Sequence, residues 1–250
     1  MNPSSSPQFT AAIVTGASRG LGFSIAEGLA RVGTRVLLVA RSSDDVTAAV
    51  ARILAAHPGI LADHVHGFAG DIADKHQTHA IAAAAEALGG PVDLLVHNAS
   101  TLGPLPLRPL WDLACEDLAA VLEVNLIGPF RLTKVVAGAM ALRGRGTVLH
   151  ISSDAATSAY PGWGAYGVSK AAQDHLVRSF AADFAASGFP PDRVPRFYAV
   201  DPGEMDTKMH ADAVPDADRA TLTHPDAVAE RILRWLATNP STGARATELS

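Results

Sequence analysis

The sequence predicts an α/β fold: a doubly wound parallel sheet with helices on both faces, in a single domain of residues 1–250. Three observations predict it. Short β-branched runs alternate with longer helical stretches, a glycine-rich turn joins the first run to the first helix, and no linker or run of like charges divides the chain. Strands in this arrangement are buried on both faces, and right-handed crossovers wind the sheet doubly.

The elements follow in order along the chain. The predicted strands are AAIVT (11–15), RVLLVA (35–40), HVHGFA (64–69), DLLVHN (93–98), GTVLHIS (146–152), RFYAVD (196–201) and a short strand in ARATEL (244–249). The helical stretches between them are 21–32, 44–56, 76–88, 117–142, 166–187 and 226–237. We expect residues 1–9 to be disordered. The long irregular segment 204–225 is a candidate substrate lid.

Composition excludes several classes of function. Hydrophobic residues make up 48% of the chain and charged residues 18%, which is typical of a compact globular protein. A net charge of −5 gives no basic surface for nucleic acid, and no polybasic segment or long apolar run indicates a membrane partner. The start MNPSSSPQF lacks the features of a secretory signal, and Cys115 is a single cysteine. These features predict a cytoplasmic protein.

The glycine-rich turn TGASRGLG (15–22) follows the first strand and opens the first helix. Gly16, Gly20 and Gly22 allow a tight turn and a close approach of a ligand to the backbone. Free N–H groups at the helix start favour an anion such as a pyrophosphate. The spacing is G-x-x-x-G-x-G, so the turn alone also fits a merely structural role, but its position between strand and helix predicts a Rossmann-type nucleotide site.

Two arginines favour NADP(H) as the cofactor. The second strand ends in Ala40 and Arg41, where an NAD-binding protein would carry a ribose-binding carboxylate. Arg19 lies in the glycine turn itself. Guanidinium groups bind a 2′-phosphate bidentately, whereas the alternative is two solvated surface arginines.

Tyr166 and Lys170 stand four residues apart in AYGVSK (165–170), in a chain with three tyrosines and four lysines. Positions i and i+4 share one helix face, so a phenol and an ammonium could address the same small volume. Chance would produce roughly 0.05 such pairs in this composition. The spacing therefore indicates a proton-transfer site, although a surface pair has the same spacing.

An ordered set of motifs resembles the short-chain dehydrogenase/reductase family. They are TGASRGLG, Asp71-Ile72, HNAS (97–100), Asn125, ISS (151–153), YGVSK and DPGEMDT (201–207). The resemblance implies that Asp71 and Ile72 hold adenine and that 202–207 embraces the nicotinamide. The full set of implied cofactor residues is Gly16, Ser18, Arg19, Gly20, Leu21, Gly22, Arg41, Asp71, Ile72, Asn98, Ala99, Tyr166, Lys170, Pro202, Gly203, Met205 and Thr207.

The same resemblance implies the catalytic residues. Tyr166 would be the acid/base, Lys170 would hold the nicotinamide ribose and lower the phenol pKa, and Asn125 would organise a water relay. A serine thirteen residues before the tyrosine bonds the substrate oxygen in this family, which selects Ser153 over Ser152. No metal is expected, because the pairs His64/His66 and His76/His79 lack an evident third ligand.

The implied activity is NADPH-dependent reduction of a small ketone or aldehyde, reversible as alcohol oxidation. The resemblance also implies a homodimer or homotetramer whose subunits contact each other through the helices at 117–142 and 166–187.

Two alternatives to this activity remain. The C-terminal half is similar to the sepiapterin reductase branch, which makes a pterin reductase one alternative. However, Thr247, with Glu248 next, stands where that branch places a pterin-anchoring Asp. A catalytically silent NADP(H)-binding regulatory module is the other alternative. Arg41 argues against an NAD-dependent dehydrogenase.

Overall fold

A computed structural model, which describes residues 8–247 and 249, contains one seven-stranded sheet whose paired strands are all parallel. The strands are β1 (Ala11–Thr15), β2 (Arg35–Ala40), β3 (Val65–Ala69), β4 (Val92–His97), β5 (Thr147–Ile151), β6 (Arg196–Val200) and β7 (Arg245–Ala246). Their spatial order is β3-β2-β1-β4-β5-β6-β7. The chain winds outward in one direction from β1 and in the other from β4, so the predicted doubly wound fold is confirmed.

The helices cover both faces of this sheet. They are α1 (Gly20–Arg31), α2 (Ser43–Ala56), α3 (Thr78–Glu86), α4 (Cys115–Leu122), α5 (Gly128–Arg143), α6 (Gly164–Ala185), α7 (Lys208–Ala213) and α8 (Pro225–Ala237). Most lie within two residues of the predicted bounds. Two differ: α7 lies in the segment predicted to be irregular, and the helix predicted over 117–142 contains a π-helical turn (Glu123–Ile127) between α4 and α5.

Alternate strand residues enter two separate cores. Val36 and Leu38 of β2 pack in the core beneath α1, α2 and α8, whereas Leu37 and Val39 pack in the core beneath α3, α5 and α6. Successive side chains of a strand point to opposite faces, so a strand covered on both sides must be apolar throughout. This requirement explains the unbroken apolar runs in the sequence.

The π-helical turn has an identifiable cause in Pro129. An α-helix would bond the N–H of residue 129 to the carbonyl of Asn125, but proline has no N–H. Gly128 instead donates to the carbonyl of Glu123, five residues earlier. The free carbonyl of Asn125 accepts a hydrogen bond from the side chain of Gln173 on α6. The turn thereby joins two helices behind the carboxyl ends of the strands.

The two ends of the chain differ in part from what the sequence predicts. Residues 1–7 of the segment expected to be disordered lie outside the described residues, whereas Phe9 is 7% exposed and packs in the core. The prediction of disorder therefore does not hold for Phe9. The predicted strand within 244–249 reduces to β7, and Glu248 lies outside the described residues. Within the described part of the chain, no helix combines the length and apolar character that a membrane crossing requires.

Candidate active site

A cleft of about 1450 Å³ runs along the carboxyl ends of β1 to β6. Pockets for one drug-sized ligand measure roughly 300 to 1,000 Å³, so this cleft has room for a dinucleotide together with a second molecule. Most of the sequence-predicted site residues line it: Gly16, Ser18, Arg19, Gly20, Leu21, Arg41, Asp71, Ile72, Asn98, Ala99, Ser153, Tyr166, Lys170, Pro202, Gly203, Met205 and Thr207. Gly22 and Asn125 lie behind its wall.

The glycine turn is built so that side chains would not fit. Gly16 has a φ of +66°, and a Cβ there would come within 2.8 Å of the Ala99 Cα. Behind the wall, a Cβ on Gly22 would lie 2.3 Å from the Asn98 amide nitrogen. The backbone of the glycine turn thus passes close to residues 98–99 and leaves the start of α1 open to the cleft. This arrangement suits an anion at the helix N-terminus.

Asn98 ties the glycine turn to the sheet. Its side-chain amide donates to the carbonyls of Thr15 and Gly16, both at 3.0 Å. Its own N–H and that of Ala99 both donate to the Thr15 hydroxyl at 3.1 Å. These four bonds fix the edge between β1 and β4, where the strand order reverses. Asn98 therefore links the glycine turn to the sheet and also lines the cleft.

Three arginines meet at one end of the cleft. Arg19 and Arg41, which the sequence singled out, are both exposed and line it. A third arginine, Arg52 on α2, was not predicted from the sequence; it lines the cleft, and its guanidinium stacks over the Phe23 ring at 4.1 Å. At the end of β2 the chain carries Ala40 and Arg41 without a carboxylate. This end of the cleft is therefore suited to a phosphate group.

Ser153, Tyr166 and Lys170 lie together at the other end. Tyr166, one turn before Lys170 on α6, is 7% exposed, and the ammonium of Lys170 lies 5.4 Å from the centre of its ring. The Ser153 hydroxyl donates to Asp154 Oδ1 at 2.9 Å and lies beside the Tyr166 phenol. The neighbouring Ser152 hydroxyl is buried, with no hydrogen-bond partner among the described residues. This placement agrees with the choice of Ser153.

The ionisation of the pair differs from the expectation that Lys170 acidifies the phenol. Burial raises the pKa of Tyr166 to about 12; the Ser153 hydroxyl lowers it in part, and the carboxylates of Asp154 and Asp201 raise it further. The ammonium of Lys170 donates to the carbonyl of Ile151 at 2.7 Å and lies over the ring. Burial lowers the pKa of Lys170 to about 8, and the Asp174 carboxylate raises it.

Asn125 does not reach the cleft. It is fully buried in the π-helical turn, where its side-chain amide donates to Thr101 O and to Ser169 Oγ, both at 2.9 Å. Its Oδ1 accepts from the Thr101 N–H at 2.8 Å, and its backbone carbonyl accepts a hydrogen bond from the Gln173 side chain. In this structure Asn125 therefore supports the loop after β4 and the helix that carries Tyr166, rather than contacting reacting atoms.

A buried histidine pair lies near Lys170. The rings of His97 on β4 and His150 on β5 are 4.5 Å apart, and His97 bonds the Thr133 hydroxyl at 2.8 Å. Both nitrogens of His150 have no hydrogen-bond partner within the described part of the chain. Burial, together with the charge of Lys170, lowers the pKa of His150 to about 3; burial likewise lowers the pKa of His97 well below its usual value.

We predict that this pair makes the fold sensitive to acid. Above the ordinary histidine pKa of 6.5 the pair is neutral in both states and has no effect. As the pH falls below 6.5, these histidines bind protons in the unfolded chain but stay neutral in the folded chain. Protonation of His150 alone lowers the free energy of unfolding by ~2 to 3 kcal/mol at about pH 4.5. His150→Leu should flatten the fall of urea-unfolding free energy between these pH values. His175→Gln, on the exposed face of α6, is the control. Equal slopes in wild type and His150→Leu would contradict the prediction.

Further residues line the second end of the cleft. Asp154 accepts hydrogen bonds from Ser153 and from the Tyr160 hydroxyl, the latter at 2.8 Å. Trp163 meets Tyr166 edge-on at 5.8 Å and lines the cleft, which places it in the pocket rather than only in the core. Part of the candidate lid also faces the cleft, namely 204–210, Asp212, Val214 and His224–Pro225. The position of Asp154 directly after Ser153 was the signal in the sequence that could have identified it as a residue of the site.

The chain is similar to known proteins over most of its length. The family model described as short chain dehydrogenase matches residues 10–218. A 2-(R)-hydroxypropyl-CoM dehydrogenase of Xanthobacter autotrophicus is 35% identical over 198 residues, covering 79% of this chain and 75% of that protein. A gluconate 5-dehydrogenase of Gluconobacter oxydans is 31% identical, covering 83% and 75%.

Solved structures extend the likeness to the fold of almost the whole chain. An actinorhodin polyketide ketoreductase with NADPH has a TM-score of 0.83 at 26% identity, with 95% of each chain covered. An alcohol dehydrogenase from the archaeon Thermococcus sibiricus, complexed with 5-hydroxy-NADP, has a TM-score of 0.80 at 28% identity, covering 96% of this chain and 95% of that chain. Fold, motif order and sequence identity together identify this protein as a member of the short-chain dehydrogenase/reductase family.

Proposed function

We propose that this protein is an NADP(H)-dependent oxidoreductase that reduces a small ketone or aldehyde to an alcohol. The proposal rests on one observation, the different chemical groups at the two ends of the cleft. Arginines line one end, and Ser153, Tyr166 and Lys170 lie at the other, with the glycine turn between them. A phosphate-bearing dinucleotide fits this order of chemistry along one groove.

The residues present fit the cofactor. Gly16 leaves open a surface at the start of α1 that a side chain would close, which suits a pyrophosphate. Asp71 and Ile72 line the cleft beyond the end of β3 and suit the adenine, while 202–207 line it on the nicotinamide side. When bound, NADPH supplies the hydride that reduces the carbonyl carbon.

The reacting end supports proton delivery to a substrate oxygen. A phenol with a pKa of about 12 is protonated at neutral pH, so Tyr166 holds a proton for the oxygen that gains charge during reduction. Ser153 lies beside it and can turn its hydroxyl from Asp154 to the same oxygen. Lys170, whose ammonium lies over the ring and which lines the cleft, would hold a ribose hydroxyl of the cofactor.

The walls around this end favour a compact and partly apolar substrate. The apolar side chains that line it are Leu102, Leu105, Trp163, Met209 and Val214. Asp154 and Glu204 add negative charge, and within the described residues the cations near the lid are paired: Lys208 with Asp212 at 2.6 Å and Arg219 with Asp206 at 2.6 Å. An uncharged carbonyl compound fits this lining better than an anionic one.

Cofactor choice rests on the arginine end. Arg19 in the glycine turn, Arg41 after β2 and Arg52 on α2 all line the cleft. Two related structures carry NADPH and 5-hydroxy-NADP. Both facts favour NADP(H) over NAD(H) for this chain.

We also propose a homodimer or homotetramer in the cytoplasm. Apolar side chains remain exposed on the two long helices of one face: Phe130 is 37% and Leu142 80% exposed on α5, and Val168 is 49% exposed on α6. Large apolar side chains left exposed on long helices favour an interface between subunits. The free thiol of Cys115 is exposed, which suits a reducing compartment.

Turnover of carbonyl compounds tests the proposed activity. Purified protein is mixed with NADPH or NADH and a panel of ketones, aldehydes and pterins, and oxidation of the reduced nicotinamide is followed by absorbance. We expect reduction of at least one neutral ketone or aldehyde, with NADPH preferred. Tight NADPH binding without turnover on any panel member would indicate a regulatory binding module instead. Turnover confined to pterins would identify the pterin reductase alternative.

A further inference from the structure

Arg245 links three segments that border the proposed active site. It lies on β7, the last strand of the sheet, which hydrogen-bonds to β6. Its Nε donates to Asp174 Oδ2 on α6 at 2.7 Å. Its Nη2 donates to the carbonyl of Ser153 at 2.9 Å and to Asp201 Oδ2 at 3.2 Å. The guanidinium therefore contacts the catalytic helix, the backbone of the proposed catalytic serine and the segment after β6.

Each contact continues into the cleft, although Arg245 itself does not line it. Asp174 lies one helical turn after Lys170 and is 4% exposed, and its charge raises the pKa of that lysine. The second oxygen of Asp201 accepts from the N–H of Gly203 at 3.1 Å and so shapes the turn that opens 202–207. The N–H of Ala155, two residues further along the chain, donates to the Ser153 hydroxyl at 3.2 Å and to Asp154 Oδ1 at 2.8 Å.

The charge balance requires an arginine at this position. The side chains of Asp174 and Asp201 are 5% and 12% exposed, and the guanidinium is the cation that both contact among the described residues. A planar fork can satisfy two carboxylates and a carbonyl at once, whereas an ammonium acts as a point charge. Loss of the cation would leave two largely buried carboxylates uncompensated.

We infer that Arg245 is a positioning residue that holds the Ser153 carbonyl and the Asp201–Gly203 turn in the geometry needed for hydride transfer. The roles of those two segments rest on the proposed function. The placement of the segments by Arg245 rests on the hydrogen bonds alone. This separation allows the inference to be tested even if the activity is not the one proposed.

Amide hydrogen exchange tests the placement directly. Arg245→Gln removes the charge, and Arg245→Lys keeps the charge but loses the fork. In both variants we expect the N–H groups of Ala155 and Gly203 to exchange about tenfold faster or more, because each lost charge-assisted bond weakens local closure by that order. Arg143→Gln is the matched control, since Arg143 also bonds a carboxylate and a carbonyl, Glu86 at 3.1 Å and Val92 O at 2.7 Å, away from the cleft.

Kinetics supply the second readout. With a monocarbonyl substrate that the wild type reduces, Arg245→Lys should lower kcat about tenfold while changing KM and the Kd of NADPH by less than about threefold. A primary isotope effect with deuterated NADPH should rise, because the hydride step becomes slower. The control should keep both values.

Two results would overturn the inference. One is unchanged exchange at Ala155 and Gly203 in a folded Arg245→Lys protein. The other is an equal acceleration in Arg143→Gln, which would indicate general loosening of the fold. If the wild type reduces no carbonyl, the proposed function fails, and the exchange comparison still decides whether Arg245 positions these segments.

Discussion

Tyr166→Phe is expected to lower kcat by roughly 10² to 10⁴-fold while the Kd of NADPH changes by less than about threefold. The phenyl ring keeps the packing against Trp163 and the position over Lys170, so the cleft retains its shape. The variant lacks the proton that the buried phenol holds at neutral pH. The measurements are steady-state turnover on a carbonyl that the wild type reduces and NADPH fluorescence titration.

Tyr160→Phe is the matched control for this variant. Tyr160 also lines the cleft, is 44% exposed, and donates its hydroxyl to Asp154 at 2.8 Å. Its loss removes a hydrogen bond beside Ser153 but no proton donor to the substrate, so kcat should stay within about fivefold of wild type. If Tyr166→Phe retained more than about a tenth of the wild-type kcat, Tyr166 would not be the general acid.

The sequence predicts the sheet well because each strand is apolar on both sides. The run RVLLVA at 35–40 leaves one interpretation, a strand covered by two layers, and β2 has these bounds. The helix ends were equally predictable where a capping residue is present, as with Ser42, whose hydroxyl accepts from Asp45 at 3.1 Å before α2. Helix α7 was missed because six residues of KMHADA give too short a pattern for a helical period.

The site was predictable in membership and less so in geometry. Motif spacing identified Ser153, Tyr166 and Lys170, and the cleft brings them together. Spacing could not indicate that the phenol is buried beside two carboxylates, which is why its pKa rises instead of falling. The position of Asn125 behind the wall follows from the π-helical turn. Pro129, four residues later, was the available signal, because it removes the N–H that would have bonded the Asn125 carbonyl.

Contacts between distant parts of the chain account for the rest. Arg245 contacts Ser153 and Asp174, which are 92 and 71 residues away in sequence, and no local pattern connects them. Arg52 enters the phosphate end because α2 packs beside α1 over one face of the sheet, where its guanidinium stacks on Phe23. Both arginines look like ordinary surface residues until the strand order is known.

Arg41→Asp is expected to turn cofactor preference from NADPH towards NADH by about a hundredfold in the ratio of kcat/KM values. Arg41 follows β2, where its guanidinium faces the cleft and suits a 2′-phosphate that carries nearly two negative charges. Losing a charge-assisted contact costs ~1.5 to 3 kcal/mol, or roughly tenfold to a hundredfold in NADPH affinity. The new carboxylate repels the phosphate and can accept from the ribose hydroxyls of NADH.

The comparison that isolates this effect is Arg31→Asp. Arg31 is exposed at the end of α1, away from the cleft, and its replacement changes the net charge by the same amount. It should leave the ratio of the two kcat/KM values within about twofold of wild type, because screening weakens charges at that distance. Since Arg19 and Arg52 remain in the Arg41→Asp protein, some NADPH affinity should persist and should weaken steeply with added salt. An unaltered ratio in Arg41→Asp would mean that Arg41 makes no contact with the 2′-phosphate, and the preference for NADP(H) would then rest on Arg19 and Arg52.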